Sequence, residues 1–133
     1  MPPSGWLPPH FRNEERILAR SGIHDWEGVA ALGDPMLRHM ASDGSCSEAR
    51  LVRLRGQARL MGDLDLEPEE AALLLHAGIA DRRGLAHCDP HALHRQLGRL
   101  QRTLAGTALA PVPMTRLLEW VRRARAGSGR SWN

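Results

Sequence analysis

A short run in the second half of the chain holds the side chains best suited to metal or acid–base chemistry. It contains His87, Cys88, Asp89, His91 and His94. On a helix, His91 and His94 would share one face and could bind one ion. Zinc needs three or four ligands, however, and the chain has no Cys-x-x-Cys or His-Glu-x-x-His pairing. We predict no metal and no cofactor, with ordinary surface histidines here; a metal at this cluster is the alternative.

Nucleophilic catalysis has less support. Cys88 has histidine neighbours but lacks the sequence context of a known catalytic cysteine. The chain contains neither a Gly-x-Ser-x-Gly elbow nor a phosphate-binding loop. The acid pairs Glu69-Glu70 and Asp63/Asp65 fall at predicted helix starts or turns, where a structural role is sufficient. We therefore predict no catalytic residue and no enzymatic activity.

The basic residues, all of which are arginine, are unevenly distributed. Residues 98–133 contain seven arginines and one acid, whereas residues 1–97 contain 11 arginines and 14 acids. Clustered arginines can contact successive phosphates, and such binding weakens steeply with salt. The alternative is a solvated face in a proteome with arginine-rich codon usage. The arginines that we predict to contact a nucleic-acid backbone are Arg82, Arg83, Arg116, Arg122, Arg123 and Arg125.

One tryptophan, Trp120, lies among these arginines. With Arg116 and Arg122 beside it, Trp120 could stack on a base. It also borders an apolar stripe of its own helix, which favours burial. We predict that Trp120 packs in the core or in an interface.

Helices must position all these side chains, because β-structure has almost no support. Tyrosine is absent, one phenylalanine is present, and β-branched residues are sparse. We expect Asp34 to cap a helix, Ser45 and Glu48 to form a capping box, and Gly62 with Asp63 to end the helix behind it. The predicted fold is an all-α, compact bundle of short helices. The predicted helices span about 13–20, 26–31, 34–40, 46–61, 68–76, 82–86, 90–104 and 114–126.

An ordered series of residues occurs twice: Gly-Ile, then Gly-(Val/Leu)-Ala, then Asp-Pro. The glycines are Gly22 and Gly78, followed by Ile23 and Ile79; the offset is 56 residues at the glycines and 55 at the Asp-Pro pairs. We expect each glycine to stop a helix in a left-handed conformation and each isoleucine to anchor the turn in the core. One residue of slippage would lie in the connecting turn.

This series resembles the helix-hairpin-helix superfamily. More closely, it resembles a group of bacterial and plastid proteins of unknown function built from such units. The resemblance covers about residues 13–104 and implies tandem helix-hairpin-helix (SAM-like) units. DNA-binding hairpins of the superfamily usually read Gly-Ile-Gly, but His24 and Ala80 replace the second glycine here. That departure weakens any phosphate-cradling role of the turns.

The chain has no apolar run near the roughly 18–20 residues of a membrane span, and residues 1–10 lack the pattern of a secretory signal. We therefore predict a cytoplasmic protein without a membrane partner. The leading hypothesis is a non-enzymatic helical module that binds nucleic-acid backbone. The alternative is a protein–protein interaction or assembly module; DNA versus RNA and the oligomeric state stay open. The predicted segments are a Pro-rich arm (1–12), a tandem domain (13–110, units about 13–44 and 45–104), a basic helix (111–126) and a flexible tail (127–133).

Overall fold

The computed structural model describes residues 6–103 and 111–127, and all regular structure in these ranges is helical. The prediction of an all-α protein is confirmed. The assignment of its segments to tandem hairpin units stays a prediction, and the proposed tail beyond Gly127 lies outside the described residues. A short 3-10 helix (Pro9–Phe11) is followed by α1 (Arg12–Arg20), α2 (Trp26–Ala30), α3 (Asp34–Ala41), α4 (Glu48–Leu64), α5 (Pro68–His76), α6 (Arg82–Ala86), α7 (Pro90–Thr103) and α8 (Met114–Ala126).

The chain forms two compact units, Met1–Ala58 and Arg59–Asn133. In the first unit, the described part of the Pro-rich arm packs against the helices. Leu7 is buried, and its backbone N–H donates a hydrogen bond to Glu15 Oε1 at 3.0 Å. Trp6 packs edge-on against Trp26, with ring centroids 5.5 Å apart. The fully buried leucines of this unit are Leu18, Leu37, Leu51 and Leu54.

The second unit is organised around α8. Helices α6 and α7 both pack on α8, and α5 packs on α7. Trp120 has no exposed surface, so the prediction that it packs in the core is confirmed. Burying an aromatic ring of this size contributes more apolar area than any leucine beside it. The leucines fully buried in this unit are Leu60, Leu64, Leu66, Leu74, Leu85, Leu97 and Leu117.

Both predicted ends of α4 are wrong. The helix begins at Glu48, and Ser47 Oγ accepts a hydrogen bond from the Arg50 N–H at 3.4 Å, so Ser47 and not Ser45 is the cap. At its other end α4 continues through Gly62 to Leu64. Asp65, with φ 56°, takes the left-handed position expected of a glycine. Complete burial of the leucines on either side of Asp65 offsets the weak helix propensity of Gly62.

The start of α3 differs by one residue from the prediction. Gly33 is the capping residue, while Asp34 is the first helical residue and forms an ion pair with Arg55 at 2.7 Å. In the second unit, Asp89 precedes α7 and its Oδ1 accepts the His91 N–H at 3.1 Å. The helices α3 and α7 therefore start 56 residues apart, as the glycines do, and the predicted slippage is absent.

Candidate nucleic-acid interface

The two Gly-Ile turns have the same backbone geometry. Gly22 has φ 80° and Gly78 has φ 87°, both in the left-handed region where glycine costs least. In each turn the isoleucine N–H donates to the carbonyl oxygen five residues earlier at 2.9 Å. Ile23 and Ile79 are half-buried, so the expectation that they anchor the core is too strong. The turns therefore act first as helix stops.

An aspartate in each turn caps the helix that follows it. Asp25 Oδ1 accepts the Gly28 N–H, and Asp81 Oδ1 accepts the Gly84 N–H, both at 2.8 Å. Gly28 and Gly84 are the third residues of α2 and α6, so one first-turn N–H of each helix is already satisfied. Each carboxylate also places negative charge at the start of its helix. This arrangement favours a structural role for the turns and disfavours phosphate binding there.

A buried glutamate on the first turn of α1 and of α5 pairs with an arginine from a later helix. Glu70 is 3% exposed and accepts a hydrogen bond from Arg116 Nε. This bond is the main cause of the raised pKa of Arg116, whose guanidinium also lies 5.6 Å from the Trp120 ring centroid. In the first unit, Glu14 accepts from Arg50 Nε at 3.2 Å. Arg116 therefore has a structural role within its own unit.

Arg122 and Arg123 also have partners within the second unit. Arg122 Nε donates to Glu119 Oε2 at 2.9 Å, and this hydrogen bond is the main reason that the pKa of Glu119 falls to about 2. Arg123 donates from one terminal nitrogen to the carbonyl oxygens of Leu64 at 3.1 Å and Asp65 at 3.3 Å. Those carbonyls lie at the C-terminal end of α4, where helical partners are missing. Arg123 therefore caps another helix.

Of the last three predicted contacts, Arg125 and Arg82 have partners within the unit and Arg83 does not. Arg125 Nε donates to the carbonyl oxygen of Ala86, the final residue of α6, at 3.0 Å. Arg82 donates to the carbonyl oxygen of Asp63. Arg83 is exposed, and within the described part of the chain no partner holds its side chain. Of the six arginines that the sequence singles out, five hold groups of their own unit.

A row of exposed arginines lies instead on α7. Arg95, Arg99 and Arg102, here called the α7 arginine stripe, follow i, i+4 and i+7 spacing and lie on one face. The opposite face buries Leu93 and Leu97. No aspartate or glutamate occurs between Pro90 and Thr103. Within the residues that the structure describes, no ion pair or hydrogen bond engages these three guanidinium groups.

The sequence contains a signal for the α7 arginine stripe, but counting charge by segment hides it. The segment 98–133 begins in the middle of α7 and separates Arg95 from the other two arginines. Counting charge along a helix face would have joined all three, because i, i+4 and i+7 positions project together.

The histidine–cysteine cluster has local structural roles. His94 Nε2 lies 2.9 Å from the Val112 carbonyl oxygen, and the Asp89 carboxylate caps the start of α7. Burial raises the pKa of the Cys88 thiol, which disfavours the thiolate form that binds metals. Among the described residues, no three or more His, Cys, Asp or Glu side chains are placed to hold a metal ion.

Comparison with known proteins gives one family match. The family model described as Domain of unknown function (DUF4332) matches residues 8–127. No curated protein matches the chain, and no solved structure does. Among the described helices, none combines the length and apolar character needed to cross a membrane.

Proposed function

The chain belongs to the DUF4332 family of domains of unknown function, and from its own geometry we propose that it is a non-enzymatic helical module that binds nucleic-acid backbone. The observation that carries this proposal is the α7 arginine stripe. Its three side chains are exposed, lie on one face of a regular helix and have no acidic neighbour on that helix. Arg83 on α6 is a further candidate contact from the original set.

The α7 arginine stripe suits a phosphate backbone better than the α8 arginines do. Seven residues of α-helix rise about 10 Å, so the guanidinium groups are spread along a line rather than gathered at one point. Guanidinium groups bind phosphate oxygens in bidentate fashion. Because these arginines have no protein partner in the described ranges, binding requires no ion pair to be broken. Arg116 and Arg123 would have to release a buried carboxylate or a helix end.

Fluorescence anisotropy with a labelled DNA duplex of about 24 base pairs tests the proposal. Three phosphate contacts give a slope of about −2.7 in a plot of log affinity against log salt, hence a loss of about 40-fold between about 50 and 200 mM salt. The variant R95Q/R99Q/R102Q should bind at least about tenfold more weakly at the lower salt and lose most of that slope.

A matched control is present on α1. Arg12, Arg16 and Arg20 are also exposed and spaced four residues apart, so R12Q/R16Q/R20Q removes the same charge from another helix. We expect this control to keep wild-type affinity within about threefold, because Glu15 and Asp43 lie near those arginines. Equal losses in both variants would contradict a specific role for α7 and indicate only a general charge effect.

We also propose that the two turns belong to the helix-hairpin-helix superfamily. Their support is the shared left-handed glycine, the shared isoleucine hydrogen bond and the shared aspartate cap. A protein partner remains the alternative function. Salt-independent capture of one stoichiometric protein, together with no binding to the labelled duplex, would favour that alternative.

A further inference from the structure

We infer that the chain pairs with a second copy of itself through the outer face of α4. The residues that form this surface, here called the α4 face, are Glu48, Val52, Gly56 and Arg59. They follow i, i+4, i+8 and i+11 spacing and therefore lie in one row along one continuous helix. None of them belongs to the α7 arginine stripe, so this inference goes beyond the proposed function and holds or fails independently of it.

The α4 face exposes an apolar side chain beside a position that has no side chain. Val52 is 43% exposed, although Leu51 and Leu54 on the same helix are buried. Gly56 lies one turn further along, and a Cβ built there would meet no described atom within 4 Å. Glycine weakens the interior of a helix relative to alanine, and no close contact within the described chain requires it here. The glycine therefore leaves an open notch beside Val52.

The equivalent face of α8 lacks this notch. Aligned through their glutamate-bonded arginines, Arg50 and Arg116, the two helices place Leu118 where α4 has its valine and Arg122 where α4 has its glycine. Leu118 is 46% exposed, much as the valine is. Arg122 Nε, however, donates to Glu119 Oε2 at 2.9 Å, so a charged pair covers this part of α8. Repetition of the fold therefore does not account for the glycine of the α4 face.

The α4 face complements its own shape when two copies pack antiparallel. A two-fold axis midway between Val52 and Gly56 places the valine of each copy over the glycine of the other. The two backbones can approach closely at each glycine because no Cβ intervenes, and rows of residues four apart are the ridges that pack into grooves between helices. Such a contact uses the same surface on both copies, so it closes as a dimer.

The charges at the two ends of the α4 face are complementary in the same arrangement. Glu48 and Arg59 are both exposed. Their separation along the helix axis is about 16 Å, so the two side chains of one copy cannot pair with each other. Antiparallel packing about the same axis brings Glu48 of each copy near Arg59 of the other, whereas parallel packing would bring like charges together. Among the described residues, no hydrogen bond or ion pair engages the Glu48 carboxylate.

Sedimentation velocity of the full chain over a range of concentrations tests the inference. Stable interfaces bury about 1,200–2,000 Å², and one row of four side chains from each copy buries less than that. We therefore expect a reversible dimer with a Kd between about 10 and 500 µM. A sedimentation coefficient that rises with concentration supports the inference, and a monomer at every concentration up to about 1 mM would overturn it.

Substitutions in the notch locate the contact. G56L fills the notch with a strong helix former, so it should weaken the dimer at least about tenfold while the circular dichroism of the monomer stays helical. V52S should weaken the dimer to a similar extent. The matched control L118S removes the equally exposed side chain of α8 and should keep the Kd within about threefold of wild type. A G56L dimer as tight as wild type, or equal losses from V52S and L118S, would contradict the α4 face.

A charge exchange tests the antiparallel arrangement. E48R and R59E should each weaken the dimer about tenfold, because like charges then meet at both ends of the contact. An equal mixture of the two variants should regain the wild-type Kd, because the introduced arginine faces the introduced glutamate while the native residues still face each other. A mixture that associates no better than the separate variants would overturn the inference. Duplex anisotropy decides the proposed function separately, since no variant here alters the α7 arginine stripe.

Discussion

Replacing Glu70 by glutamine keeps the shape of a buried side chain and removes its charge. Glu70 Oε1 accepts the Glu67 N–H at 2.8 Å, and Oε2 accepts from Arg116. Glutamine can keep the first bond through its carbonyl oxygen but must present an NH2 group to the guanidinium. A hydrogen bond to a charged group contributes about 1.5–3 kcal/mol. Because the Arg116 side chain is 44% exposed and can turn to water, we expect E70Q to lower the free energy of unfolding by about 1–2 kcal/mol.

The reverse change should cost more. R116Q leaves a carboxylate that is 3% exposed with one remaining bond, to the Glu67 N–H. Leaving a buried charge without its partner costs more free energy than exposing a guanidinium to solvent. We therefore expect R116Q to lower the free energy of unfolding by about 2–3 kcal/mol. The double variant should lose less than the sum of the single losses, with a coupling energy of about 1–2 kcal/mol. Urea unfolding of the four proteins, followed by circular dichroism, measures all three quantities.

The equivalent pair in the first unit supplies an internal comparison. Both oxygens of Glu14 accept from Arg50, at 3.2 and 3.3 Å, whereas Glu70 shares its oxygens between Arg116 and a backbone N–H. E14Q should therefore destabilise the protein more than E70Q does. The reasoning would be refuted if the losses of E70Q and R116Q summed to the loss of the double variant within about 0.3 kcal/mol. An E14Q variant more stable than E70Q would refute it as well.

Other substitutions test the backbone and the thiol. Gly78→Ala should lower the free energy of unfolding by about 1–2 kcal/mol, because the added Cβ meets no atom within 4 Å and the left-handed backbone conformation is the only source of strain. Gly56→Ala is equally free of neighbours but lies inside α4, so it should raise the free energy of unfolding by up to about 1 kcal/mol. Urea unfolding measures both changes in the free energy of unfolding, and changes in the same direction would contradict the argument. Asp65→Gly should raise the melting temperature by relieving a positive φ, and a lower melting temperature would show that the aspartate side chain contributes more than its strain. The Cys88 thiol, whose pKa is raised by burial, should react with Ellman's reagent more slowly than a free cysteine peptide near pH 8 in a C46S background, and an equal rate would contradict that pKa.

Capping and helix-stopping residues predicted the helix ends that depend on neighbouring residues in the sequence. Pro113 and the left-handed Gly127 mark the two ends of α8, which matches its predicted bounds. The end of α4 could not be found in this way, because complete burial of Leu64 and Leu66 overrides the helix-breaking tendency of Gly62. That burial depends on packing and leaves no mark in the neighbouring sequence.

The partners of the basic residues were equally hidden from the sequence. Arg123 and the Leu64 carbonyl are separated by 59 residues, and Arg116 and Glu70 by 46. A count of charge therefore identified the arginines but could not tell which were already neutralised inside the unit. The α7 arginine stripe could have been predicted from the sequence, because its prediction requires only helix periodicity and the absence of acidic residues between Pro90 and Thr103.

The arginines of α8 have a consequence for synthesis of the protein. This single helix supplies the donors for a buried glutamate on α5 and for the open carbonyl ends of α4 and α6. Those helices leave the ribosome before α8 does, and until it arrives the oxygen atoms that the α8 arginines contact are left to water. Burial of these oxygen atoms must therefore wait for the synthesis of α8. Nascent chains that stop before Arg116 should accordingly be cleaved by protease at those helix ends more readily than the complete chain is.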